Sequence, residues 1–269
     1  SCVFENGNFV FKFASNSEEV KRFSGSKYVK SNPQGIYNEI KKIINQGRKV
    51  LFIGLPCQVA AVKKIVGERK KENLYTIDLI CHGTPSPIML DLFLKENGYD
   101  LNELTDIKFR KKNNFYLSEN YKGIKPSNVR DRYTLSFLRS LNYTENCYSC
   151  QYATFERASD ITLGDSWGSE ISKKEQDKGI SLVLCQTEQG KELLEMTDLH
   201  LEYVDIKKAI ENNKQLSNPS IKNSKRDKFF NTLYKTKNFS KSVAKCYFKI
   251  CFKQEIKSIL TKMKIIREE

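Results

Sequence analysis

No run of apolar residues in this 269-residue chain approaches the roughly 20 needed to span a bilayer, so no transmembrane helix is expected. The start, Ser1-Cys2-Val3, has neither an initiator methionine nor the basic-then-apolar pattern of a secretory signal. It opens inside what reads as a strand, so the chain is expected to be a fragment of a longer gene product. Eight cysteines are too few for a disulfide scaffold of this length, and they cluster at turns. That pattern points to reduced thiols and metal binding, hence a cytoplasmic setting. No nucleic-acid motif accompanies the net charge of +14, so no specific nucleic acid is expected as partner. The charge is also uneven. From Lys222 to Glu269 there are 14 Lys or Arg against 4 Asp or Glu, which puts +10 in the tail and leaves the body nearly balanced. Residues 222–269 therefore read as a solvated, lysine-rich helical tail, with peripheral contact to a membrane surface or a partner as the functional alternative.

What is present is a globular composition, 39% hydrophobic and 29% charged, enough for one large domain or two small ones. Cys2-Val3-Phe4 and Phe9-Val10-Phe11 alternate about Asn6-Gly7, a hairpin signal, and Cys2 reads as a packed small hydrophobe. Ser17 reads as the N-cap of a short helix. Gly25-Ser26-Lys27, continuing to Ser31, combines glycine, small hydroxyls and a lysine, residue types that can cradle a phosphate; most such stretches are simply turns. Gly35 to Asn45 has the stripe of an amphipathic helix. Lys49 to Gly54 then reads as a buried parallel strand, Leu55-Pro56-Cys57-Gln58 as its turn and Val59 to Val66 as a helix. The plan repeats in Leu74 to Ile80, the turn from Cys81-His82-Gly83, and a helix from Ile88 to Glu96. Ligands bind at the C-terminal ends of strands in α/β sheets. Adjacent parallel strands would bring Cys57 and Cys81 to one sheet edge, with Cys57 at a helix N-terminus that favours a thiolate. The bland alternative is two buried structural cysteines.

Ile107 to Arg110 reads as a strand, Lys111-Lys112-Asn113-Asn114 as a turn, Tyr116 to Tyr121 as the hairpin partner, and Arg130 to Leu141 as a helix. That helix leads to Asn146-Cys147-Tyr148-Ser149-Cys150-Gln151. Two cysteines three apart put two thiolates on one tight turn. With Cys57 and Cys81 they make four soft ligands from three loops, the set for an iron–sulfur cluster or a structural zinc. Zinc sites usually draw on two Cys-x-x-Cys pairs; one pair with two single cysteines at strand ends fits a cluster better. Ala158 to Gly168 reads as a strand ending in a glycine-flanked turn that carries Trp167, the only tryptophan. Gly179 to Cys185 reads as a buried strand with Cys185 a core thiol, Glu188 to Met196 as a helix and Leu201 to Val204 as a last strand. Asn218-Pro219-Ser220 reads as a break, and the spacing of Cys246 and Cys251 does not suit one metal. The fold expected is α/β, a largely parallel or mixed sheet flanked by helices, with a Cys-rich insertion and a basic helical C-terminal tail. The expected division is residues 1–100, 101–221 and 222–269.

Five blocks in order carry a resemblance. They are Gly25 to Ser31, Gly54-Leu55-Pro56-Cys57-Gln58-Val59-Ala60-Ala61, Asp78 to Pro87, Cys147-Tyr148-Ser149-Cys150, and Ser159-Asp160-Ile161-Thr162-Leu163-Gly164-Asp165. Together, from about Gly25 to Val204, the chain resembles the coenzyme F420 hydrogenase/dehydrogenase beta-subunit family, most closely its bacterial branch associated with polysaccharide-biosynthesis gene clusters. The resemblance implies an iron–sulfur flavoprotein oxidoreductase with FAD and a [4Fe–4S] cluster, passing electrons between ferredoxin-like centres and an organic substrate such as a deazaflavin. Members of the family's chlorophyll branch reduce chlorophyll derivatives instead. It implies Cys57, Cys81, Cys147 and Cys150 as cluster ligands and Gly25, Ser26, Lys27 and Ser31 as a flavin-associated segment. His82, beside a cluster cysteine, is a candidate proton donor or hydrogen-bond donor to cluster sulfur, with a structural role as the alternative. A ferredoxin-like donor or acceptor and a homo-oligomer are the expected partners. The non-enzymatic alternative is a zinc-stabilised or degenerate partner subunit. Departures are an absent ferredoxin-like segment and Ser-Ser-Gly-Gly motif, both expected before Ser1. Phe109-Arg110-Lys111-Lys112 replaces the family's Phe-Arg-Asp-Lys, and Asp165-Ser166-Trp167-Gly168 its Asp-Phe-Trp-Gly.

Overall fold

Four strands organise the molecule, and the ends of two of them deliver cysteines. A computed structural model describes residues 1–33, 35–111, 114–120 and 122–267. In order the elements are β1 (Cys2–Glu5), β2 (Asn8–Phe11), α1 (Ser17–Lys21), α2 (Ile36–Asn45), β3 (Val50–Gly54), α3 (Pro56–Val66), β4 (Leu74–Leu79), α4 (Pro87–Lys95), β5 (Ile107–Lys111), β6 (Asn114–Glu119) and β7 (Lys122–Gly123). There follow α5 (Arg132–Leu138), β8 (Ile161–Asp165), α6 (Lys173–Gln176), β9 (Ser181–Cys185), α7 (Glu188–Glu195), α8 (Ile206–Asn212), α9 (Arg226–Thr236), α10 (Phe239–Cys246) and α11 (Phe248–Lys262). No helix among the described residues is long and apolar enough to cross a membrane.

The central sheet runs β3-β4-β8-β9, with β3, β4 and β8 parallel and β9 antiparallel, the mixed sheet expected. Its cover follows from helical spacing. Ile36, Ile40 and Ile44 fall on one stripe of α2 and bury with Val59 and Val62 of α3 against Phe52 and Leu74. Burial of side chains of this size is worth about 1.5–3 kcal/mol each. β4 alternates in burial, turning Leu74, Thr76 and Asp78 inward. The Asp160 carboxylate accepts from Thr76 N at 2.7 Å, Thr76 Oγ1 at 2.6 Å and Thr187 Oγ1 at 3.0 Å, and pairs with Lys63 Nζ at 3.4 Å. One side chain thus joins β4, the approach to β8, α3 and the cap of α7.

The antiparallel meander β5-β6-β7 packs Phe109 and Leu117 against Leu90 and Phe93 of α4, Tyr133 of α5, and Phe229, Phe239 and Val243 of α9 and α10. This core also takes in Phe9, so it draws on residues from 1–100, 101–221 and 222–269 together. The solvated-tail reading of 222–269 is corrected here. The segment is helical, but Phe229 and Leu233, then Phe239 and Val243, recur at four-residue spacing and turn a buried face to the core. The lysine excess hid this stripe.

Local expectations differ in three further places. Asn16, not Ser17, caps α1, its Oδ1 accepting from Glu19 N at 3.0 Å. Cys185 is exposed rather than in the core, because β9 is an edge strand and its alternation places Ser181 and Cys185 outward. Leu201–Val204 forms no strand and is exposed. The expected turn at Lys112-Asn113, and Tyr121 at the end of its hairpin partner, lie outside the described residues. The first hairpin forms as its turn dipeptide directs, with Asn6 and Gly7 at φ 49° and 72°.

Candidate functional site

Three loops converge at the C-terminal end of the parallel strands. Pro56 opens α3 at a position where its missing N–H costs no bond, and Cys57 follows in the first helical turn. Gln58 braces that turn, its Oε1 accepting from Leu55 N at 2.9 Å and its Nε2 donating to Ser31 Oγ at 3.0 Å. Cys81 stands just past β4, with the Gly83 N–H beside its sulfur, where it favours the thiolate. Cys147 lies in a short turn at Glu145–Ser149, and Cys150 caps its end. That turn is pinned to the Cys81 loop by Thr144 N donating to Thr84 O at 2.9 Å and by an antiparallel bridge between Pro85 and Tyr143. Gly83 makes this contact possible: its φ is +129°, and a Cβ would lie 2.4 Å from the Tyr143 ring. Hydroxyls flank Cys147, with Thr144 Oγ1 3.3 Å and Thr84 Oγ1 4.0 Å from its sulfur.

All four cysteines, with Ser31, His82 and Arg157, line one cavity of about 380 Å³. The thiols act on one another. Burial first, then the Cys147, Cys57 and Cys150 sulfurs, pushes the Cys81 thiol up to about 12. Burial, then Cys150 and Cys147, raises that of Cys57. Yet no three His, Cys, Asp or Glu side chains among the described residues are gathered tightly enough to hold a single metal ion. A tetrahedral zinc with 2.3 Å bonds needs its sulfurs about 3.8 Å apart. A four-iron cluster binds each thiolate through a different iron and so spans a wider set. Four thiols around a common cavity are soft donors of the kind a metal centre takes.

Sequence reasoning did not single out Arg157 and Ser220. Arg157 Nη2 donates to Gln215 O at 3.1 Å, while its buried Nε has no hydrogen-bond partner. Burial lowers its pKa, and the negative forms of Asp78, Cys81 and Cys150 oppose that shift, so the cation sits among them. Asp78 is fully buried; its oxygens make no well-formed hydrogen bond, although the Thr162 and Ser159 hydroxyls lie beside them, and burial raises its pKa. The only sequence signal for Arg157 was its place in the polar run Glu156 to Asp160 beside the Cys-x-x-Cys. Ser220, read only as part of a break, closes the cavity by donating to His82 O at 2.5 Å. His82 itself is exposed at the rim; crowding by surrounding protein lowers its imidazole pKa, and the charge of Asp165 opposes this.

The glycine–serine–lysine segment divides. Gly25, Ser26 and Lys27 line a second cavity of about 560 Å³ with Lys108, Arg110 and Asp165, whereas Ser31 faces the cysteines. Lys27 does not project as a free cation. Its Nζ donates to the carbonyls of Phe23 at 3.0 Å, Ser24 at 3.2 Å and Gly25 at 3.0 Å, tying its own loop. Arg110 donates to Asp165 Oδ2 at 2.7 Å and lies over the rings of Phe115 and Trp167, at 5.5 and 6.0 Å. Asp165, at the end of β8, is common ground: it lines this groove and acts electrostatically on His82 in the other cavity.

Residues 47–211 match the family model of the coenzyme F420 hydrogenase/dehydrogenase beta subunit, C terminus, and that span includes all four cavity cysteines. The chain belongs to this family. Among solved structures it is similar to one of the F420-reducing [NiFe] hydrogenase complex from Methanosarcina barkeri, at 17% identity and a TM-score of 0.48, over 80% of this chain and 77% of that one. No curated protein matches. The family resemblance is thereby borne out, with four of its five sequence blocks inside the matched span and Gly25–Ser31 outside it; the family is one of hydrogenases and dehydrogenases, which points to an oxidoreductase.

Proposed function

We propose that this family member is an iron–sulfur flavoprotein in which Cys57, Cys81, Cys147 and Cys150 hold a [4Fe–4S] cluster and the groove at Gly25, Ser26 and Lys27 takes FAD. The observation that carries the proposal is the convergence of four cysteines, from three separate loops, on one cavity. When bound, these groups would supply one-electron transfer at the cluster and two-electron transfer at the flavin to or from an organic, deazaflavin-like substrate.

The residues have distinct parts in this reading. The Gly83 N–H and the Thr84 and Thr144 hydroxyls are placed to donate to thiolate sulfur, which stabilises the charged form. Arg157 offsets thiolate charge from within the cavity. Pro219 and Ser220 wall one side of the cavity, with Ser220 hydrogen-bonded to the His82 carbonyl. Cys57 is exposed while the other three are only partly so, which makes its edge the natural approach for a ferredoxin-like partner. His82 stands where a proton can pass between solvent and substrate. In the groove, Lys108 and Arg110 supply positive charge for an anionic diphosphate, and a cavity of about 560 Å³ is of the size that holds organic cofactors. Lys27 serves by shaping the glycine–serine loop rather than by direct charge pairing.

The test is anaerobic reconstitution of the full chain with iron and sulfide, followed by metal analysis, visible spectroscopy and a fluorescence titration with FAD. About four irons per chain and visible absorption that bleaches with dithionite are expected. One zinc per chain after anaerobic purification, and no iron uptake, would refute the cluster and favour the scaffold alternative.

A further inference from the structure

Helix α11 packs the wrong way round for a core helix. Its buried residues are Cys251, Ser258 and Thr261, small or polar, and the consecutive Gln254 and Glu255 reach back to Arg130 N at 2.9 Å and Arg132 Nη2 at 2.7 Å. Ile250 and Cys251 pack against the core, but the large apolar residues Phe248, Phe252, Ile256 and Ile259 face outward. Phe248, Phe252, Ile256, Ile259 and Met263 follow a spacing of four, four, three and four, so they form one continuous stripe along the helix. They are between 43% and 68% exposed, and the Phe248 and Phe252 rings stack at 5.9 Å. A stripe five residues long is not the scatter of single apolar residues normal on a protein surface. Lysines run beside it: Lys249, Lys253 and Lys257 each follow a stripe residue by one position and form a parallel row. The only acid in the helix, Glu255, is paired with Arg132.

We infer that α11 docks this protein on an anionic lipid surface. The stripe enters the headgroup boundary and the lysine row meets the lipid phosphates. The charge decides the occupant. An apolar stripe edged by one sign of charge suits a surface of the opposite sign; between two copies of this helix, lysine would tend to face lysine. The inner polar face is already satisfied by the protein, so docking needs no unfolding of α11. The inference stands apart from the cofactor reading and needs neither cluster nor flavin.

The experiment is co-sedimentation of the full chain with vesicles of phosphatidylcholine alone and of phosphatidylcholine with phosphatidylglycerol, with its oligomeric state measured by light scattering. Binding to the anionic vesicles only, weakened by added salt, is expected. Lys249→Gln with Lys253→Gln should weaken it roughly thirtyfold at low salt. Phe252→Glu with Ile259→Glu should abolish it. Both pairs lie on the outer face, so unchanged circular dichroism and melting temperature would show that folding is intact. Failure to bind either vesicle, or equal binding to both, would overturn the inference. So would a dimer in solution that Phe252→Glu dissociates, which would give the stripe to a second copy.

Discussion

The two cavities at the end of the sheet are built by different means. The cysteine cavity is made of main-chain turns: a helix start at Pro56, a glycine at positive φ, and a short turn pinned by a backbone hydrogen bond and a bridge. The neighbouring groove is made of long side chains, with Lys27 bound to its own loop and Arg110 to Asp165. A cavity framed by backbone is held by the fold. One framed by arginine and lysine is held by side-chain contacts, Lys27 to carbonyl oxygens and Arg110 to a partly exposed carboxylate, each worth on the order of 1 kcal/mol. The first suits a rigid inorganic group, the second a ligand that brings its own charge and reorders its surroundings.

The largest expected break in this contrast is Cys147→Ala, which should abolish iron uptake in reconstitution while leaving FAD binding in the fluorescence titration within about twofold of the parent. Next comes the frame. Gly83→Ala forces a Cβ into the Tyr143 ring at an unfavourable φ, and a cost of about 3 kcal/mol is expected, read as a melting temperature lower by several degrees. Asp160→Ala leaves the buried Thr76 N–H without its acceptor and strands the neighbouring hydroxyls, so a loss of about 2–3 kcal/mol is expected in a denaturant titration. The groove should respond oppositely. Arg110→Ala is expected to cost no more than about 1 kcal/mol of stability and to leave iron uptake unchanged, yet to weaken FAD binding about tenfold. The finest test is chemical. In the metal-free chain at pH 8, Cys81, whose thiol is pushed up to about 12, stays protonated, so iodoacetamide should modify exposed Cys185 before it, as peptide mass spectrometry would show.

Much of the contrast was legible beforehand, for a physical reason in each case. The strands before Cys57 and Cys81 are short apolar runs followed by turn residues, and parallel neighbours must end at one edge; β3 and β4 do so. Their meeting with Cys147 and Cys150 was a matter of ligand count rather than pattern, and the convergence rests on contacts between Thr144 and Thr84, residues that carry no periodic signal. Arg157 carries no periodic signal either, only its place near the Cys-x-x-Cys. Lys27 was legible as a loop residue near phosphate chemistry, but whether its amine faced a ligand or its own carbonyls depended on a rotamer.

The chain's amino-acid pattern by itself determined the strand–turn–helix repeats, the hairpin at Asn6-Gly7, the cysteine set and the absence of a long apolar run, because each is a property of neighbours within a few residues. The tertiary structure decided which of those residues meet. It split Ser31 from Gly25, Ser26 and Lys27, placed Asp165 between two cavities, and drew α9 and α10 into the core despite their lysines. It also turned the apolar face of α11 outward. A helical stripe specifies a face, but only packing against the rest of the chain determines which way that face turns.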